Sequence, residues 1–197
     1  MKVLGSAVVA AFVALAATPA HATPVTLNFD ELAPGTVLSN QYSGQGVVFS
    51  NSDGPLRVVV ATPGPPFTPP NAILPDNFSP TGNYNQAAFS APTGFVSVVL
   101  GDFDADEDTL HLNAYNAANV LIASDTQFLA AAISGGLLLH VTAPDIAYVR
   151  FFGVGVNNNS VYFDNFTFDT AAIPEPATLL LLGTGLIGAA ARRRNRK

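Results

Sequence analysis

The chain has 197 residues, with 14 acidic and 8 basic side chains, no cysteine, and 49% hydrophobic against 11% charged residues. Without cysteine, disulfides and thiolate metal sites are excluded, so the fold must hold by burial alone or with a bound ion. Every acid but Glu175 and only two of the bases, Arg57 and Arg150, lie between Thr23 and Ile173, which leaves thirteen acids against two arginines, a net charge of −11. A nucleic acid or other phosphate-rich partner is excluded on this balance, because such affinity depends on Lys and Arg displacing counterions.

In chain order, Lys2 supplies a positive start, Val3 to Ala17 an apolar run, and Ala20-His21-Ala22 a small-x-small site. This is the pattern of a signal peptide over residues 1–22, cut by signal peptidase so that the mature chain begins at Thr23. The alternative, a membrane-retained helix, fits a run this short poorly. The body, residues 23–170, is enough for one domain that buries roughly 68–70% of its unfolded surface.

The body shows no long 3.6-residue apolar period, only short β-branched and aromatic runs separated by Gly, Pro, Asn and Asp. Strands are predicted at Val25–Phe29, Gly46–Phe49, Leu56–Val60, Ala87–Ser90, Val96–Leu100, Leu110–Tyr115, Val120–Ser124, Leu137–Thr142, Tyr148–Phe152 and Val161–Phe168. About ten short strands imply an all-β, two-sheet antiparallel sandwich. Seven prolines between Ala61 and Asn83 predict a long surface loop through which no central strand passes. Leu129 to Ile133 is Ala-rich and could form one helical turn, although two glycines follow closely.

Candidate chemistry is sparse. Asp102, Asp104 and Asp106, beside Glu107 and Asp108, have the Asp-x-Asp-x-Asp spacing of a calcium loop, since a hard cation wants several oxygen ligands. Glu107 and Asn113 stand where an EF-hand needs Gly and Glu, so the open readings are an irregular calcium site or a solvated acidic turn. A second metal candidate comes from strand parity. Asp164 shares a face with Tyr162, Phe166 and Phe168, and Glu31 shares one with Val25, Leu27 and Phe29, with Asp30 beside it. Two inward acids repel and lose hydration unless neutralised, by calcium or by Arg150. His111 and His140, the only body histidines, have no zinc spacing. No serine lies in a Gly-x-Ser-x-Gly elbow and no glycine-rich phosphate loop is present, so no enzyme is expected, although two of the acids could in principle serve a glycosidase. Tyr42, Phe67, Phe78 and Tyr84 are the candidates for stacking on a ligand.

The segments Phe29-Asp-Glu-Leu to Gly46-Val-Val-Phe49, Gly101-Asp-Phe-Asp to Asn116, and Tyr162-Phe-Asp-Asn-Phe-Thr-Phe168 resemble β-jelly-roll domains of the carbohydrate-binding-module kind. The resemblance implies glycan binding and a structural Ca2+ between the terminal strands.

The last stretch, residues 173–197, begins Ile-Pro-Glu-Pro-Ala-Thr, continues without charge through 177–191, and ends in Arg192-Arg193-Arg194-Asn195-Arg196-Lys197. Pro174 and Pro176 hold Pro174-Glu175-Pro176 extended. The apolar run would be a helix of about 22 Å, shorter than a bilayer core of roughly 30 Å, so it suits a temporary transmembrane anchor. The basic end stays cytoplasmic by the positive-inside rule, which leaves the body on the far side of the inner membrane.

This tail resembles the PEP-CTERM sorting signal of Gram-negative bacteria. The resemblance implies recognition by an exosortase, a transient inner-membrane intermediate, and delivery to the cell surface or extracellular matrix in cells that make exopolysaccharide. The body is then expected to bind polysaccharide without catalysis. A ligand-free structural or adhesion protein and a polysaccharide-degrading enzyme are the competing readings.

Overall fold

Alternation of apolar and polar residues becomes ten antiparallel strands in the computed structural model, which describes residues 23–61, 64–78, 82–103, 106–131 and 135–170. These belong to the compact unit Ala22–Ala172. The signal segment, the tail with its expected helix, and the motif Pro174-Glu175-Pro176 lie outside the described residues, and so do Ala20, Ala22 and Asp104.

The strands are β1 (Pro24–Leu27), β2 (Val37–Leu38), β3 (Val47–Asn51), β4 (Leu56–Val60), β5 (Asn71–Pro75), β6 (Asn85–Asp102), β7 (Asp108–Tyr115), β8 (Leu121–Leu129), β9 (Leu137–Val154) and β10 (Val161–Asp169). The predicted pairs Ala87–Ser90 with Val96–Leu100, and Leu137–Thr142 with Tyr148–Phe152, are opposite ends of the 18-residue strands β6 and β9. Their register shifts at Ala88, Thr93 and Phe95. Before that break β6 pairs with β3 and with the second half of β9; beyond it β6 pairs with β10 and with the first half of β9. One long strand therefore links the two halves of a single ten-stranded antiparallel sheet, an arrangement consistent with a sandwich, and a sequence window sees only its two apolar ends.

One expectation fails for a local reason. The proline-rich segment does contain a strand: β5 pairs with both β4 and β10, fitted between Pro70 and Pro75 so that its first four residues keep their N–H donors. Leu129 closes β8 by pairing with Asp108, and the rest of the Ala-rich run from residue 132 lies outside the described residues.

The main core cluster draws on strands along the whole sheet, and a small separate one holds Phe67, Ala72 and Val99. At the centre of the main cluster Phe29, Phe49, Phe151, Phe163 and Phe166 meet mostly edge to face, with centroids of 4.9 Å for Phe151–Phe163, 5.1 Å for Phe49–Phe166 and 5.7 Å for Phe29–Phe163. Such pairs add about 0.5–1.5 kcal/mol each beyond the area they bury. Phe29 holds φ at +59°, a left-handed conformation unusual for a bulky residue, and is fully buried there. Phe163→Ala should lower the unfolding free energy in urea by about 3–5 kcal/mol, whereas Val156→Ala, at 80% exposure, should change it by less than about 0.5. Equal effects at the two positions would contradict this placement of the core.

Candidate functional site

The inward residues of β7 and β9 dictate what faces outward. Leu110, Leu112 and Ala114 on β7, and Val149 and Phe151 on β9, are fully buried, so period-two alternation turns His111, Asn113 and Tyr115, and Tyr148, Arg150 and Phe152, to the other face. Antiparallel register then sets these residues side by side. Tyr115 lies opposite Tyr148, Asn113 opposite Arg150, and His111 opposite Phe152. On the far side of Arg150 stands Gln86 of β6, and on the far side of Asn113 stands Ser124 of β8.

The result is a polar row, Gln86–Arg150–Asn113–Ser124, between two aromatic pairs. The rings of Tyr115 and Tyr148 stack at 4.9 Å and 9°; those of His111 and Phe152 stack at 4.9 Å and 25°. His111 Nδ1 lies 3.1 Å from Thr126 Oγ1, and burial pushes its imidazole below the ordinary value. Arg150 is held by faces rather than by acids. Its guanidinium carbon is 4.3 Å from the Tyr84 ring centre, 5.2 Å from Tyr115 and 5.3 Å from Tyr148, and its Nε donates to Gln86 Oε1 at 3.1 Å. Part of this row lines a cleft of about 410 Å³, with Tyr84, Asn113, Tyr115, Arg150, Phe152 and Asn158 among its walls. No carboxylate is among the lining residues.

The four residues proposed for stacking separate. Tyr84 is in the cleft. Tyr42 and Phe67 are 2% and 7% exposed and cannot meet a ligand. Tyr42 packs on Phe29 and donates to Glu31 at 2.6 Å, and burial and that acid together hold its hydroxyl far above the ordinary value. Phe67 lies under the proline-rich segment against Tyr162. Phe78 is exposed but stacks on Phe103, away from the cleft lining. Tyr115, Tyr148, Arg150 and Phe152 were missed, although alternation against their buried neighbours marked them as outward. His140 sits at the other end of β9, largely exposed and 4.0 Å from Asp125, so the two histidines share no site.

The parity argument for a metal needs correction at both strands. Phe29 in the left-handed region ends the alternation of β1, so the exposed Glu31 turns to Tyr42 and Asp30 turns inward instead. A bulge between Asp164 and Thr167, with Asn165 at φ +47°, lets Phe163 and Phe166 both face the core. Asp164 points the other way and is fully buried. Its Oδ2 accepts from Thr68 N and Oγ1 at 2.8 and 3.0 Å, and its Oδ1 from Asn165 N at 2.7 Å. Lost hydration pushes its carboxyl up to about 6, these hydrogen bonds pull it down, and the charge of Asp30 adds to the rise. Arg150, occupied in the cleft, does not neutralise either acid.

Asn71 is bonded to one of these acids, Asp30. Its N–H donates to Asp30 Oδ1 at 3.1 Å and its Nδ2 to the carbonyls of Phe29 and Leu32 at 3.1 and 2.9 Å. Its Oδ1 is buried and has no hydrogen-bond partner among the described residues. Two acids that feel each other's charge and an orphaned amide oxygen are the donor chemistry of a hard cation. Separately, carboxylate oxygens of Asp102, Asp106 and Asp108 lie within 4.8 Å of one another. Gly155 packs so closely on Asp108 that a side chain there would strike its carboxylate.

A model of the PEP-CTERM protein-sorting motif matches residues 172–194. The tail therefore carries that motif, which implies processing by an exosortase and an exported protein with a membrane-anchored intermediate. No curated protein matches the chain. Among solved structures, a DUF4465 family protein from Bacteroides caccae is similar at 11% identity and TM-score 0.50, over 78% of this chain and 100% of that one, a likeness of fold. The C-terminal family 22 carbohydrate-binding module of Clostridium thermocellum Xyn10B is similar at 16% identity and TM-score 0.42, over 73% and 99%. The arabinose-bound arabinofuranosidase MgGH51 is similar at 14% identity and TM-score 0.47; the match covers 73% of this chain but only 26% of that enzyme.

Proposed function

We propose that this protein is a component of the cell surface or exopolysaccharide matrix of a Gram-negative bacterium, and that its body is a non-catalytic glycan-binding module. On this reading residues 1–22 are the signal peptide and 177–191 the anchor helix released by the exosortase. The observation that carries the glycan reading is the cleft. It offers aromatic faces for the C–H side of a sugar ring, and between them amide and guanidinium groups that can bond hydroxyls. Glycoside hydrolysis needs two carboxyl groups about 5–10 Å apart across the bond, and the lining residues supply none. Tyr84→Ala and Tyr115→Ala should each weaken polysaccharide retention in affinity electrophoresis by roughly tenfold, an amount expected from losing about 1.4 kcal/mol of contact. Phe78→Ala should leave it unchanged. Loss of retention only in Phe78→Ala would move the site to the Phe78–Phe103 pair.

The proposal includes a structural Ca2+ held by Asp30, Asn71 Oδ1 and Asp164, which ties β1's end, β5 and β10 together. Its effect is separable from glycan binding by pH. With chelator, Asp164 holds its proton more tightly folded than unfolded, so its contribution to stability is greatest below about pH 4 and is lost as pH rises through about 6. The melting midpoint should therefore fall across that window in chelator. Calcium, which binds the ionised carboxylate, should remove the fall, adding about 2.7 kcal/mol at a hundredfold excess over its dissociation constant. Asp164→Asn should abolish both the pH dependence and the calcium response. Midpoints at pH 7 that are identical with calcium and with chelator would eliminate the metal.

A further inference from the structure

We infer that the cleft selects an acidic glycan, one whose sugar carboxylate docks on the guanidinium of Arg150; this rests on the glycan-binding reading and narrows it to a ligand class. The body holds thirteen acids and two arginines, and the other arginine, Arg57, is spent on Asp76 at the surface. Arg150 has no ion pair among the described residues. In so acidic a body, a cation without a carboxylate beside it is the exception, and here it lies in a cleft with no Asp or Glu among its described lining residues.

Its surroundings leave one part of it unused. Tyr84, Tyr115 and Tyr148 approach the guanidinium at 4.3–5.3 Å, and Gln86 takes the Nε proton. Among the described residues neither Nη donates to the chain, so the planar fork that suits a carboxylate is still available. Ring faces tolerate the positive charge without cancelling it, and they lower the mobility of a side chain that would otherwise lose rotamer freedom on binding. A site for neutral sugars alone would be served as well by another amide, without the cost of partly desolvating an unpaired cation.

The net charge of the body opposes a polyanion at long range. At about 0.15 M salt the screening length is about 8 Å, so the distant acids are largely masked while the contact pair in the cleft is not. The local interaction then decides selectivity.

The test uses the full chain solubilised in a neutral detergent at 0.15 M salt. Binding is measured to polygalacturonate, alginate and hyaluronan, to the same three polymers after carboxyl reduction, and to xylan and cellulose as neutral polymers. At least one acidic polymer should bind about tenfold or more tightly than its reduced form, as expected for losing hydrogen bonds to a charged group. Arg150→Gln should erase that preference, with the circular-dichroism spectrum unchanged. Arg150→Lys, which keeps the charge and loses the fork, should retain only part of it and supplies the reading should Arg150→Gln unfold. Equal binding of acidic and reduced forms, or of neutral polymers alone, overturns the acidic-glycan inference and leaves the glycan reading standing. An acidic preference that survives in both variants removes Arg150 from the role. Failure of every polymer to bind overturns the glycan reading and this inference with it.

Discussion

Antiparallel pairing of β7 with β9 ties the cleft to the core, because each outward side chain is fixed by an inward neighbour. Phe151 is locked among Phe163 and Phe166, which leaves Arg150 and Phe152 no other face to occupy. Leu112 and Ala114 do the same for Asn113 and Tyr115. A one-residue slip would bury Arg150 and expose Phe151 together, at a cost of several kcal/mol for the unpaired charge alone. The outward face therefore has the rigidity of the core behind it. On the glycan reading that matters for stacking, where each ring must already stand at its working distance when a sugar arrives.

The terminal strands obey a different constraint. They pair along β1 and β10, and beyond the end of β1 the charge of Asp30 reaches the buried Asp164, where burial works against ionisation. Without a cation, ionising Asp164 as the pH rises through about 6 costs the folded state stability; on the metal reading the same carboxylates become ligands. In a chain without disulfides, the ladder from Pro24–Asp169 to Leu27–Phe166 fastens β1 to β10, and on the metal reading an ion adds a second tie beyond the end of β1. The metal reading and the glycan reading are independent, since the residues that carry them share no atoms.

Most of the fold was legible because its signal is local: β-branched and aromatic runs at short intervals, read with period two, locate parts of eight of the ten strands. What was not legible depends on pairing. The union of two short runs into β6 and into β9 spans the register shift at Thr93, and β5 is a strand only because β4 and β10 flank it. Parity failed where the backbone departs from it, at Phe29 and Asn165, both with positive φ. Hence Asp164 was rightly singled out as buried, but Asp30, not Glu31, turns toward it. Of the cleft, Tyr84 was named; Tyr115, Tyr148 and Arg150 come together only through the β6–β9–β7 register, which no single segment encodes. The tail, by contrast, is a linear motif, and its order of residues is its meaning.

The central claim is that glycan sits on the β6–β9–β7 face. Backbone and side-chain NMR shifts recorded while fragments of an exopolysaccharide are added to residues 23–170 would test it most directly. The account requires the perturbed signals to centre on Tyr84, Asn113, Tyr115, Tyr148 and Arg150, with the Asp30–Asn71–Asp164 group unaffected. Shifts centred instead on Phe78 and Phe103, or on the exposed strand β8 around Phe128, would contradict it.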